Sequence, residues 1–162
     1  MIFMERALEN AKKAFDIGEV PIGCVITQDE KIIAESFNQR NKNNNALYHA
    51  EILAISIACQ KLNSWRLEDC DLYVTVEPCA MCAGAIIQAR IKRVFFGTEN
   101  KKAGCAGSIL NILCEKRFNH QTEIVSGIIR DKCAELMSKF FCELRTKKNK
   151  NLKKDIGDMD WI

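Results

Sequence analysis

The pattern of hydrophobic and polar positions predicts helices and strands that alternate along most of the chain. Apolar residues recur at helical spacing over 4–15, and a buried helix is expected over 48–60. Two apolar runs, 22–26 and 31–34, flank a short polar turn, which predicts a β-hairpin. The remaining predicted elements are strand 72–76, helix 80–90, strand 93–97, a short helix around Leu110, a weaker strand 122–125 and a last helix 130–145.

This order of elements predicts a single α/β domain. Strands that alternate with helices favour parallel pairing, whereas the early hairpin favours an antiparallel edge. We therefore expect a three-layer α/β/α fold, in which a central mixed sheet of about five strands is covered by helices on both faces. The domain is expected to span residues 1–145, with 146–162 as a basic C-terminal tail whose order the pattern does not fix.

Length and composition exclude several classes of protein. With 162 residues, 48% of them hydrophobic, the chain can bury a core as one domain. No segment approaches the roughly 18 uncharged apolar residues of a membrane span, and the N-terminus shows no signal-peptide pattern, so we expect a cytoplasmic protein with no membrane partner. Nine cysteines cannot all pair, and in a reducing compartment cysteines pack, bind metals or react.

The net charge of +3 is distributed unevenly. Six basic residues and no acidic one lie between Arg145 and Lys154, and the rest of the chain carries 18 basic and 21 acidic residues. Such a run is either a solvated tail or a surface that contacts phosphates. Any affinity for nucleic acid is therefore expected towards the C-terminal end.

Two short segments combine residue types that bind metals. His49 and Glu51 stand near the start of one predicted helix, and Cys79 and Cys82 lie where strand 72–76 turns into the next helix. One imidazole and two thiolates suit Zn²⁺ and leave its fourth position open for a water, whose pKa such a site lowers to about 7. Glu51 would face the cavity and carry protons as a general base and acid.

Other uses of the same residue types are less well supported. A structural four-cysteine zinc site needs a second Cys-x-x-Cys pair, which the sequence lacks. His120, the other histidine, is expected to be a packed or surface residue rather than a ligand. The cysteines outside the motif are expected to be core or surface thiols: Cys24, Cys59, Cys70, Cys105, Cys114, Cys133 and Cys142.

The segments His49-Ala50-Glu51 and Pro78-Cys79-Ala80-Met81-Cys82 together resemble the signature of the zinc-dependent nucleoside and nucleobase deaminases. Within that superfamily the chain is most similar to the bacterial tRNA-specific adenosine deaminases, from about Met4 to Arg145. The resemblance implies a cytidine deaminase-like fold, one Zn²⁺ per subunit and a homodimer. The implied reaction is hydrolytic deamination of the wobble adenosine to inosine in a tRNA anticodon stem-loop, whose unpaired bases can reach a buried site.

The resemblance also implies roles for single residues. His49, Cys79 and Cys82 would hold the zinc, and Glu51 would shuttle protons. Asn38 matches the residue that hydrogen-bonds the target purine, although an Asn in a polar loop can also form a turn. The remaining matches would wall the pocket or shape the path of the RNA strand: Val20, Pro21, Ala50, Phe140, Phe141 and Arg145. Helical spacing alone would instead place both phenylalanines in the core.

Two positions depart from the family pattern. The segment 45–48 lacks the proline that commonly precedes the histidine, which leaves the shape of this loop open. Asn100 stands where the family usually carries Asp, beside the bound strand. Because an amide does not repel phosphate and meets a ribose hydroxyl differently, we hypothesise weaker discrimination of RNA over DNA than is usual for the family. Equal or stronger rejection of a DNA stem-loop, relative to Asn100→Asp, would contradict this.

Two alternative functions share parts of this pattern. A guanine or cytosine-type deaminase of small molecules would use the same zinc site, but a small neutral substrate has no use for Arg145, Lys101 and Lys102. A non-enzymatic RNA-binding zinc module would leave Glu51 without a role. The salt dependence of substrate binding distinguishes the first alternative from the deamination of tRNA. Binding to a polyanion weakens steeply as the ionic strength rises, whereas binding to a free base hardly changes. Metal analysis that finds no zinc would reopen a non-enzymatic RNA-binding function.

Overall fold

The computed structural model describes residues 1–157, with side chains described as far as residue 147. Its elements follow the order that the hydrophobic pattern predicts. They are, in chain order, α1 (Ile2–Asp16), β1 (Gly23–Gln28), β2 (Lys31–Phe37), α2 (Ala50–Leu62), β3 (Cys70–Val76), α3 (Ala80–Gln88), β4 (Arg93–Thr98), β5 (Glu123–Ser126) and α4 (Arg130–Gly157).

The strands form one mixed sheet of five, in the order β2-β1-β3-β4-β5. β1 pairs antiparallel with β2 and β3, whereas β3, β4 and β5 run parallel. Asp29 and Glu30 connect β1 to β2 with φ values of 48° and 57°, the double left-handed conformation of a tight hairpin turn. The predicted antiparallel edge and the predicted parallel pairing are both confirmed.

Helices cover both faces of the sheet. Because side chains alternate along a strand, neighbouring residues of β1 enter different layers. Val25 packs with Met4 and Ala7 of α1, and Ile26 joins the larger core that contains residues of α2 and α3. α4 packs against β4 on the side of α1. The three-layer α/β/α architecture is therefore confirmed, and it places α2 and α3 side by side on one face.

Two predicted extents differ from the structure. The prediction of a short helix around Leu110 is wrong, because this segment forms turns and an isolated bridge between Ala106 and Asn111. Its backbone departs from helical geometry at Gly107, where φ is 139°, and the Ser108 N–H donates to a buried carboxylate instead of a helical carbonyl. α4 continues past Arg145, so the first part of the predicted tail is helical; residues 158–162 lie outside the described part of the chain.

Within residues 1–157, none of the helices combines the length and the apolar character that a membrane crossing requires.

Candidate active site

The candidate metal ligands sit at the N-termini of two neighbouring helices. His49 is the N-cap residue of α2 and Cys79 that of α3, and neither side chain caps its own helix. Cys82 lies in the first turn of α3, on the side of Cys79. Since a helix N-terminus carries partial positive charge, it favours the thiolate form that metal binding needs.

The three side chains converge on one point. His49 Nδ1 lies 3.7 Å from Cys79 Sγ and 3.6 Å from Cys82 Sγ. All candidate donor atoms lie within 4.8 Å of one another, and no other such group occurs in the part of the chain that the structure describes. A tetrahedral Zn²⁺, with bonds of about 2.0 Å to nitrogen and 2.3 Å to sulfur, sets a nitrogen ligand and a sulfur ligand about 3.5 Å apart. The geometry therefore fits a zinc ion held by three protein ligands.

The two motif cysteines have perturbed acidities. A hydrogen bond from Cys82 lowers the pKa of Cys79 to about 4, against the opposing effect of burial and with further help from His49. The same hydrogen bond, together with burial, raises the pKa of Cys82 far above its usual value. Cys79 is therefore readily ionised, whereas Cys82 keeps its proton. A bound divalent cation would favour the thiolate form of Cys82 as well.

The other cysteines behave as packed or surface thiols. All nine are free, so the chain holds no disulfide. Burial raises the pKa of Cys70 to about 11 and that of Cys133 to about 12, so both thiols stay neutral. His120 also lies outside the metal cluster, because its ring nitrogen is 2.8 Å from the carbonyl oxygen of Ile91. The predictions that the other cysteines are packed or surface thiols and that His120 is not a metal ligand agree with the structure.

Glu51 is buried beside the metal cluster. Its side chain is 3% exposed, and its Oε2 is the single buried side-chain oxygen or nitrogen without a hydrogen-bond partner among the described residues. Burial raises the pKa of Glu51 to about 7; its own backbone N–H opposes this rise, and the charge on Cys79 adds to it. A buried carboxylate left unpaired is costly, which makes this atom a candidate for a functional role.

Asn38 lies directly after β2 and is 5% exposed. Its Nδ2 donates to Glu19 Oε2 at 3.2 Å and to the carbonyl oxygen of Val20 at 3.3 Å. These partners are far along the chain, so the side chain does not form the local turn that a loop Asn could adopt. Its neighbour Gln39 donates a backbone hydrogen bond to Tyr48 at 3.0 Å, next to His49.

The remaining predicted site residues fall into two groups. Pro21 and Ala50 are buried and Val20 is half-buried, near Asn38 and the start of α2. Phe140, Phe141 and Arg145 lie on α4 instead. Phe140 is 7% exposed and packs edge-on against Phe15, whereas Phe141 is 40% exposed. One phenylalanine is therefore core, and the other lies on the surface with the exposed Arg145.

Comparison with known proteins places this arrangement in a family. Residues 1–145 match the model of the MafB19-like deaminases. A tRNA-specific adenosine deaminase of Bacillus subtilis (strain 168) is 46% identical over 157 residues, which cover 97% of this chain and 97% of that protein. The chain belongs to the tRNA-specific adenosine deaminases.

Solved structures of other deaminases share the fold. One, from a study of A-to-I editing by tRNA:A34 deaminases at the wobble position, has a TM-score of 0.81 at 41% identity and covers 83% of this chain and 98% of that chain. A guanine deaminase from Bacillus subtilis has a TM-score of 0.58 at 43% identity and covers 60% of this chain and 63% of that chain. The likeness to the tRNA deaminase thus extends over more of both chains.

A second buried carboxylate, Glu77, organises the loop beside the metal cluster of this deaminase. Glu77 is 2% exposed and accepts the backbone N–H groups of Asn100, Ala106 and Ser108, each at 2.9 Å, as well as the Ser108 hydroxyl. A Cβ atom at Gly104 would overlap its carboxylate, and Gly104 in turn forms a bridge with Cys79. Glu77 therefore ties the loop to the ligand-bearing end of α3.

Sequence reasoning missed Glu77, although its position carried a signal. An acid between Val76 and Pro78, at the end of an apolar strand, has to be paired if the strand is buried. Asn100 takes part in the same loop, because its Oδ1 accepts the N–H groups of Lys102 and Ala103. An aspartate could accept both bonds equally well, and Nδ2 of Asn100 has no hydrogen-bond partner among the described residues.

Replacing Glu77 with glutamine is expected to destabilise the protein by about 2–4 kcal/mol, because the new amide group points a donor at backbone donors. Burial alone would raise the pKa of Glu77, but its hydrogen bonds lower it below the usual 4.5. The ionised group therefore stabilises the fold above pH 4.5, and this contribution is lost as the pH falls through the lowered pKa.

Urea unfolding at neutral and acidic pH measures this effect. The gap between Glu77→Gln and the unmodified protein should narrow below pH 4.5. Glu99→Gln is a matched control in the same loop, since Glu99 forms an exposed pair with Arg130 that is expected to contribute less than about 1 kcal/mol. Equal losses in the two variants would contradict the role assigned to Glu77.

Proposed function

We propose that this protein is a zinc-dependent hydrolase that converts the wobble adenosine of a tRNA anticodon to inosine. The observation that carries the proposal is the unpaired Oε2 of Glu51, buried next to a His/Cys/Cys cluster of tetrahedral dimensions. Membership of the tRNA-specific adenosine deaminases supports the substrate.

His49, Cys79 and Cys82 would hold the zinc ion. When bound at such a site, zinc acts as a Lewis acid and lowers the pKa of a water molecule to about 7. Two thiolates and one neutral imidazole balance the charge of the ion. The thiols that are neutral and packed elsewhere in the chain do not compete for it.

Glu51 would move the protons of the reaction. Its carboxylate takes a proton from the attacking water and delivers one to N1 of adenine, so that oxygen adds at C6. Glu51 then takes the remaining proton from the hydroxyl group at C6 and passes it to the amino group, so that the C6–N6 bond breaks, the C6 carbonyl forms and ammonia leaves. Its burial beside the ligand cluster places the carboxylate where it can accept and release protons away from bulk water.

The substrate would reach this site as a flipped base from a single-stranded loop. Asn38 would hydrogen-bond the base, and Val20, Pro21 and Ala50 would wall the pocket. Phe141 and Arg145 are exposed on α4 and are available to a bound strand, and Phe140 would support them from the core. Asn100 would contact the strand through its Nδ2. We therefore still predict that the enzyme discriminates RNA from DNA less strongly than is usual for the family.

We also propose that the enzyme works as a cytoplasmic homodimer. Several large apolar side chains are exposed on the single chain, including Trp65 at 59%, Leu110 at 57% and Leu47 at 56%. The resemblance to the tRNA-specific adenosine deaminases implies the dimer, and these exposed side chains are available to its interface. Sedimentation of the purified protein would give the mass of two chains, and the mass of one chain would contradict the dimer.

A comparison of substrates tests the proposed function against deamination of small molecules. An anticodon stem-loop RNA with a wobble adenosine is expected to be deaminated, whereas free guanine and cytosine are not. The apparent KM for the stem-loop should rise steeply between low and physiological salt, because phosphate contacts release counterions. Efficient conversion of guanine, with little dependence on salt, would instead favour a nucleobase deaminase.

A further inference from the structure

Glu19 is a buried carboxylate that joins two segments next to the pocket. It lies between α1 and β1 and is 1% exposed. Its Oε1 accepts the backbone N–H of Lys42 at 2.6 Å, and its Oε2 accepts Asn38 Nδ2 at 3.2 Å. One side chain therefore anchors both the loop after β2 and the residue matched to base recognition.

The chemistry of this pair fixes which way the Asn38 amide points. A carboxylate can only accept hydrogen bonds, so Asn38 has to present its NH₂ group to Glu19. The same NH₂ group also faces the carbonyl oxygen of Val20. Asn38 Oδ1 is left without a partner among the described residues, and, unlike Glu51 Oε2, it is not shut off from solvent.

The free oxygen belongs to the region of the candidate active site. Ser36 Oγ, two residues before Asn38, donates to the carbonyl oxygen of Ala50, and the N–H of Gln39 donates to Tyr48. These bonds tie both flanks of Asn38 to the segment 48–50, where α2 begins. That helix start carries His49 and Glu51.

We propose that Glu19 is a positioning residue that locks the Asn38 amide with its oxygen, a hydrogen-bond acceptor, towards the substrate. The inference rests on the proposed function, in which Asn38 contacts the base. It adds a requirement for substrates: the group that meets Asn38 has to donate a hydrogen bond, as the amino group of a purine or a ribose hydroxyl can. Sequence reasoning does not find Glu19, because its partners are distant along the chain.

Glu19→Gln tests the lock with almost no change of shape. The carbonyl of the new amide can still accept from Lys42, but its NH₂ group then faces Asn38. Asn38 has to turn over to accept this bond, which points its NH₂ group into the pocket. We expect kcat/KM for the anticodon stem-loop to fall at least about tenfold, because donor meets donor.

Exchanging the two polar groups should restore the pattern. Asn38→Asp alone sets two carboxylates against each other and is expected to lose at least about tenfold in kcat/KM. The double variant Glu19→Gln/Asn38→Asp keeps the total charge and again offers an acceptor to the pocket. We expect it to be at least about fivefold more active than either single variant, a coupling that general loss of packing does not produce. A double variant no better than the worse single variant would overturn the proposal.

Glu35→Gln is the matched control. Glu35 also accepts a hydrogen bond from an asparagine, Asn10 Nδ2 at 3.1 Å, together with one from Arg6 Nε at 2.8 Å, but it joins β2 to α1 on the other face of the sheet. Its kcat/KM is expected to stay within about twofold of the unmodified enzyme. A tenfold loss here would show that the effect of Glu19→Gln is not specific to the pocket.

A nuclear magnetic resonance experiment tests the lock without catalysis. The side-chain NH₂ protons of Asn38 should exchange with solvent more slowly than those of the exposed Asn41 in the same loop, and Glu19→Gln should remove this protection. Equal exchange at Asn38 and Asn41 in the unmodified protein would overturn the proposal. If the protection is present and the stem-loop is not deaminated, the proposed function fails while the orientation of Asn38 stands.

Discussion

Replacing Glu51 with glutamine is expected to lower kcat for stem-loop deamination by about 10²- to 10⁴-fold, the usual contribution of a general acid and base. Glutamine has nearly the same shape but cannot accept and return a proton at neutral pH. Because Glu51 Oε2 has no hydrogen-bond partner, the substitution breaks no bond at that atom. We therefore expect folding to be preserved, and the loss to appear in kcat more than in KM.

Single-turnover kinetics, thermal unfolding and metal content together check this expectation. The Glu51→Gln protein is expected to retain its metal and its unfolding temperature while losing activity. Turnover within about tenfold of the unmodified enzyme would contradict the role of Glu51 as proton carrier. A loss of metal would instead make Glu51 part of the metal site.

Replacing Cys82 with serine is expected to remove the metal and, with it, nearly all activity. Cys82 is buried in the first turn of α3, with its sulfur 3.6 Å from His49 Nδ1. A neutral hydroxyl is a poorer ligand for zinc than a thiolate, and two remaining ligands hold the ion weakly. We expect an activity loss greater than the 10- to 100-fold that is typical when a residue behind the ligands is changed.

Elemental analysis of the purified variants measures this directly. Cys142→Ser is the matched control, because Cys142 is exposed on α4 and lies outside the metal cluster. The control should keep about one zinc per chain and full activity. Zinc retained by Cys82→Ser at the level of the control would contradict the ligand set.

The metal cluster could be predicted from sequence because short-range spacing carries most of its geometry. Cys79 and Cys82 share one turn of a helix, and strand alternation with helices brings α2 and α3 to the same face of the sheet. His49 needs only to lie at the start of α2 to meet them. The fold could also be predicted from short-range patterns, because each helix and strand has its own hydrophobic periodicity.

The carboxylates that hold the surrounding loops could not be predicted in the same way. Glu19 and Glu77 bind donors 19 to 31 residues away, and no local pattern specifies such partners. The error at Leu110 has the same origin, because Ser108 gives its N–H to Glu77 rather than to a helix. α4 extends past Arg145, beyond its predicted end, because lysine and leucine favour helix by their intrinsic propensity.

Locating the product within an anticodon stem-loop tests the proposed activity directly. Incubation with the zinc-loaded enzyme, followed by nuclease digestion and mass spectrometry, is predicted to find inosine at the wobble adenosine alone, with one ammonia released per inosine. Glu51→Gln should give none under the same conditions. An unchanged wobble adenosine, or inosine formed equally by Glu51→Gln, would contradict the proposal that Glu51 and the His49-Cys79-Cys82 centre deaminate adenosine in RNA.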